Sequence, residues 1–193
     1  TFVTSVTGKR YERVTCVGTP GLHPDTAALR RRPEWLNNEF SNMTMLGRMS
    51  GGGVCRINEM RNVGCKGEHG SLLGTKGSIR QHNDRAVWSN GLDEEIDLTT
   101  LWKDPASHPQ TRAAASLPAS LEGHGMGHWG SHRFLVDEFV RAVTNNRRPH
   151  NHVWAAAATC APGLVAWESL KQDGAWLDVP DFGNPSDGRD PLD

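Results

Sequence analysis

Between residues 10 and 18 the chain alternates, with Tyr11, Arg13, Thr15 and Val17 on one side and Glu12, Val14 and Cys16 on the other. Side chains of an extended strand point to opposite faces in turn, so this pattern predicts a strand. Residues 40–49 and 53–63 predict two more, and Ser50-Gly51-Gly52 between them is the short glycine-rich link of an antiparallel hairpin. In the second of these, Val54, Arg56, Asn58 and Met60 share one face while Cys55, Ile57, Glu59 and Arg61 share the other. Neither face is purely apolar. That suits a sheet whose second face meets a subunit, a domain or a polar ligand, and equally an exposed face with an ordinary Glu59–Arg61 pair. Residues 71–75, 78–82 and 86–89 predict shorter strands, broken by Lys76-Gly77 and Asn83-Asp84 into a meander.

The period changes in the last third of the chain. Leu135, Phe139 and Val143 recur at four-residue spacing behind Ser131, a helix-capping residue type, and predict an amphipathic helix over residues 131–146. A second helix is predicted over 153–171, interrupted or kinked near Pro162-Gly163 because proline removes a backbone donor. Asp173-Gly174 ends it, residues 175–179 suit a last short strand, and 180–193 form a polar tail. Two stretches lack periodicity. Residues 19–39 carry Pro20, Gly21, Pro24 and Pro33, with one short helical turn over 26–31 capped by Asp25. Residues 91–130 run through Pro105, Pro109 and Pro118 as a long loop, a kind that is commonly functional or disordered.

At 193 residues the chain is long enough for one sizeable domain and short for two. Its net charge of -1 creates no field for nucleic acid, so Arg30-Arg31-Arg32 reads as a solvated cluster. Cys16, Cys55, Cys65 and Cys160 are widely spread and include no C-x-x-C pair, which points to a reduced, cytoplasmic setting. No apolar run approaches the roughly 20 residues a bilayer span needs, so no membrane association is expected.

Candidate chemistry gathers ahead of the first long helix, where His124, His128 and His132 stand four residues apart. That spacing collects ligands around a metal only on a helix. Gly123, Gly125, Gly127 and Gly130 argue against one there, so no metal site is expected. Gly125 to Gly130 also spells G-x-G-x-x-G, but a dinucleotide loop needs a hydrophobic strand immediately before it. Residues 117–123 are broken by Pro118 instead, and no cofactor-binding residues are assigned.

Three blocks resemble the C-terminal domain of Gfo/Idh/MocA-type oxidoreductases, over most of the chain. They are Gly74-Thr75-Lys76-Gly77-Ser78-Ile79, the run from Gly127 to Val140, and the ending from Ala161-Pro162-Gly163 through Trp176-Leu177-Asp178-Val179-Pro180-Asp181-Phe182. The family's G-H-G-G-S-H at the helix start is matched at Gly127, His128, Gly130, Ser131 and His132. It is broken at Trp129, where an indole in place of glycine reshapes the pocket wall or the backbone. The resemblance implies an α+β fold, a large mostly antiparallel sheet with helices packed on one face. It also implies NAD or NADP held mainly by an N-terminal Rossmann domain absent from this chain. The family's G-x-G-x-x-G loop after a first strand, its E-K-P lysine motif and its D-x-x-x-H segment are not found where the family has them. Residues 1–193 are then expected to be a single C-terminal substrate-binding and oligomerisation domain, the rear part of a longer protein, with its catalytic residues unassigned.

In such enzymes a hydride passes between a sugar or polyol carbon and the nicotinamide while a base handles the hydroxyl proton. This chain would position the carbohydrate-like substrate. Histidine donates and accepts hydrogen bonds and titrates near neutrality, so His128 and His132 are the first substrate contacts to expect, followed by His124, Trp129, Glu59 and Arg61. A histidine beside a helix start is as readily a plain structural residue. Trp129 is the one tryptophan of seven whose neighbours single it out, since indole faces pack on sugar C–H surfaces as well as filling cores. Two alternatives stay open. One is an NAD-dependent glycosidase of the same fold, and the other is a non-catalytic module that buries its sheet in a homo-oligomer.

Overall fold

The computed structural model describes residues 2–20, 40–61, 63, 67–82, 85–90, 94–98, 117–121 and 131–183. In chain order the elements are α1 (Phe2–Thr7), β1 (Tyr11–Pro20), β2 (Phe40–Met49), β3 (Val54–Met60), β4 (His69–Gly74), β5 (Gly77–His82), β6 (Arg85–Ser89), β7 (Glu95–Asp97), α2 (Ser131–Thr144), α3 (Val153–Lys171) and β8 (Leu177–Asp178). They fall into two compact units, one of Thr1–Gly64 with Asn146–Asp193 and one of Cys65–Asn145. The architecture is α+β and antiparallel as expected, with the strands divided between two four-stranded sheets.

In the first unit the strand order is β3-β2-β1-β8, every pairing antiparallel. The β2–β3 hairpin turns where the sequence placed it. Arg48 pairs with Val54, and Gly51 and Gly52 take φ of 79° and 93°, values a β-carbon disfavours. The alternation in β1 fails at its start. Tyr11 pairs with Met49 and Arg13 with Arg48, so Glu12 is the extra residue of a β-bulge. Tyr11 therefore leaves the face of Arg13 and joins Val14 and Cys16, and all three are buried. These residues, with Met45, Met49 and Cys55, form the sheet's contribution to the core, and α3 adds Ala161, Ala166 and Leu170.

Helix α3 is continuous through Pro162 rather than interrupted there. The missing donor costs one backbone bond, and the burial of Ala161, Pro162 and Ala166 offsets it. Its start is capped by His152, whose Nδ1 accepts the Ala155 N–H at 3.1 Å. Its end is the expected one. Gly174, at φ 81°, donates its N–H to the Ser169 carbonyl at 2.9 Å, closing the last turn.

The second unit is built on the meander β4-β5-β6-β7. Register puts Leu72, Ile79, Trp88 and Ile96 in one row across the sheet, and His69, His82 and Arg85 in a row on the opposite face. β7 and a short 3-10 turn at Ala119–Leu121 lie inside the stretch expected to be loop. Helix α2 closes one turn with an Asp137–Arg141 ion pair of 2.9 Å and buries Ala142 completely. Its predicted apolar stripe of Leu135, Phe139 and Val143 is more than half exposed. No described helix is long and apolar enough to cross a membrane.

Candidate functional site

The bulge and the hairpin together decide what faces α3. Cys16, Met45 and Ile57 lie in one register row across β1, β2 and β3, and Gly18, Met43 and Glu59 lie in the next row on the same face. A cavity of about 320 Å³ opens over these rows. Met43, Met45 and Ile57 line it from the sheet, and Gly163, Trp167 and Leu170 line it from α3. Glu59 is its sole charged lining residue among those described. The Cys16 thiol also borders it, and burial pushes that thiol's pKa up, so it is held as an inert thiol at neutral pH.

Glu59 and Arg61, chosen from the sequence because they share a face, do come together as an ion pair. β3 ends at Met60, but Arg61 continues the ladder by donating its N–H to the Ser41 carbonyl at 3.0 Å. Both side chains are substantially exposed, so the pair contributes little to stability. Its effect is to hold the Glu59 carboxylate at the cavity rim. A carboxylate there accepts hydrogen bonds from hydroxyls, while the lining beyond it takes an apolar surface.

Trp167 was not among the expected site residues. Its ring meets Phe40 edge-on, with centroids 6.1 Å apart, and the Lys171 ammonium lies 5.9 Å from its centre. The signal for it was helical spacing, since Gly163, Trp167 and Leu170 recur at four and three residues along one side of α3. His132 is the second residue of α2, in the other unit, and its side chain is exposed. His124, His128 and Trp129 lie outside the described residues. Among the described residues no three His, Cys, Asp or Glu side chains gather as a metal site would need.

No family model matches the chain. It is 26% identical over 111 residues to a glycosyl hydrolase family 109 protein of Solibacter usitatus (strain Ellin6076), a match covering 58% of this chain and 24% of that protein. Among solved structures it is similar to an inositol dehydrogenase homolog from Azotobacter vinelandii complexed with NAD+, with a TM-score of 0.58 and 16% identity over 92% of this chain and 46% of that one. It is likewise similar to levoglucosan dehydrogenase in complex with NADH and levoglucosan, with a TM-score of 0.59 and 18% identity over 90% of this chain and 46% of that one. The chain thus spans less than half the length of each of these three proteins. At such identities the likeness is one of fold, and it agrees with the sequence motifs: the chain has the C-terminal-domain fold of Gfo/Idh/MocA-type oxidoreductases.

Proposed function

We propose that this chain is the substrate-handling part of a nicotinamide-dependent oxidoreductase acting on a sugar or polyol. The observation that carries the reading is a fold shared over nine-tenths of the chain with dehydrogenases such as the levoglucosan complex. NAD or NADP is then bound mainly by a domain other than this one, and the chain supplies shape and hydrogen bonds to the substrate. His128 and His132 contact its hydroxyls, with His124, Trp129, Glu59 and Arg61 as further contacts. Residues 1–193 act as one substrate-binding and oligomerisation domain that pairs with a second copy through its sheet, in the reducing cytoplasm.

A second reading is favoured by the match to the glycosyl hydrolase family 109 protein. In it a bound nicotinamide would supply a transient oxidation of the glycoside, and water would take the place of the eliminated leaving group before the hydride is given back, with no net redox change.

The two readings separate in one assay on the polypeptide as its own gene encodes it, supplied with NAD+ and either free sugars or aryl glycosides. The oxidoreductase reading expects NADH absorbance to grow with the sugar consumed. Release of the aryl alcohol without net NADH would move the assignment to the glycosidase. Neither signal, across a panel of hexoses and polyols, would leave the non-catalytic assembly module in the lead.

A further inference from the structure

We propose that His69 and His82 form a two-histidine site for a divalent transition metal ion, with Zn2+ as the probe, on the β4–β5 hairpin. The two residues are direct cross-strand partners in antiparallel register. Their ring centroids lie 4.2 Å apart at an interplanar angle of 54°. Parallel stacked rings aim their nitrogens past each other, whereas rings tilted by this much can turn one nitrogen each toward a shared point above the sheet. Among the described residues neither imidazole has a hydrogen-bond partner, so no described group competes with an ion for the ring nitrogens. Both side chains are exposed, so no desolvation opposes entry. Neutral imidazole is the common nitrogen ligand for zinc, copper and nickel. Two such ligands leave the remaining coordination positions to water.

The surrounding charges act against the ion and set its affinity. Arg85 on β6 is the register partner of His82, and Arg80 lies two residues along β5 on the same face. Glu68 precedes His69 in the chain, and Asp97 of β7 pairs with Val87 one row further along that face. At an exposed site water and salt screen the two guanidinium groups, so they weaken binding only a few-fold. A bound ion would tie β4, the edge strand of its sheet, to β5. Edge strands are where sheets open or recruit other chains, so the clip would stabilise the hairpin in proportion to metal occupancy.

The test is a Zn2+ titration of the full chain followed by the histidine ring signals in NMR, repeated on H69A, H82A and R85Q. The wild type is expected to saturate with His69 and His82 shifting together, and each alanine variant to weaken that site by about tenfold or more. R85Q should bind a few-fold more tightly, because it removes a fixed positive charge beside the ion. In parallel, Zn2+ should raise the thermal midpoint of the wild type and fail to raise that of either alanine variant. Zn2+ shifts confined to other histidines would overturn the site. So would saturation that survives both alanine substitutions unchanged, or a midpoint rise retained in them.

Discussion

Tyr11 is the single tyrosine in the chain, and it is buried with its hydroxyl 3.3 Å from the Cys55 sulfur. Burial holds its pKa well above the ordinary value of 10.0, and the hydrogen bond to Cys55 and the electrostatic influence of that neighbour push the same way. The folded state thus binds the phenol proton more tightly than the unfolded chain does. Its contribution to stability is complete below the ordinary value of 10.0 and is lost as pH climbs above it. With one tyrosine to observe, absorbance at the tyrosinate band reads this residue alone. We expect the native protein to show no tyrosinate at about pH 11, and the chain in urea to titrate in the ordinary range. A native titration near 10.0 would mean the phenol is open to water. Tyr11→Phe should also lose stability less steeply in alkali than the wild type. The ring's seat depends on Gly47, whose substitution would place a β-carbon 2.6 Å from it. Alternation alone put Tyr11 on the wrong face. Nothing in the residue types marks Glu12 as a bulge, because the extra residue is specified by pairing with β2 rather than by the strand itself.

Among the elements, α3 is tied to the sheet through one hydroxyl. Ser169 is fully buried, accepts the Cys16 N–H at 2.9 Å and donates to the Ala175 carbonyl at 2.6 Å. It thereby joins the end of the helix, the middle of β1 and the approach to β8. Ser169→Ala leaves both backbone groups without that partner in a place water does not reach, and should cost about 1–3 kcal/mol. Urea unfolding would show this as a lower midpoint at unchanged slope, and a loss within about 0.5 kcal/mol would mean the backbone groups find other partners. Elements of this size were the most legible. The β2–β3 hairpin is marked by its glycine-rich link, α2 by its four-residue stripe and α3 by the length of its apolar run, and their positions agree with the expectation. Of the two outcomes expected at Pro162, interruption does not occur, because tertiary burial there outweighs the proline's poor helix propensity. β7, with three residues, and α1, with six, are too short to show a period at all.

At the scale of the whole molecule the family fold was readable from short motifs, whereas the cavity was not. Glu59 and Arg61 followed from strand alternation, but the surface they border needs Trp167 from a helix more than 100 residues away. Spacing along one element carries no information about such a partner. The same separation of tasks governs the cofactor. A nicotinamide dinucleotide is held by a glycine-rich turn between a strand and a helix, where backbone N–H groups and the helix end meet the pyrophosphate. In this sequence the one G-x-G-x-x-G, Gly125 to Gly130, follows a stretch interrupted by Pro118 and continues directly into Ser131 of α2. The sequence ahead of it is therefore not that of the strand that would hold the phosphates against the turn. The chain by itself should show no saturable change in NADH fluorescence up to concentrations of about 100 μM, whether or not a sugar is present. Saturable binding at or below about 10 μM would place cofactor recognition within these residues. The proposal that this chain handles substrate for a separate nicotinamide domain would then have to be abandoned.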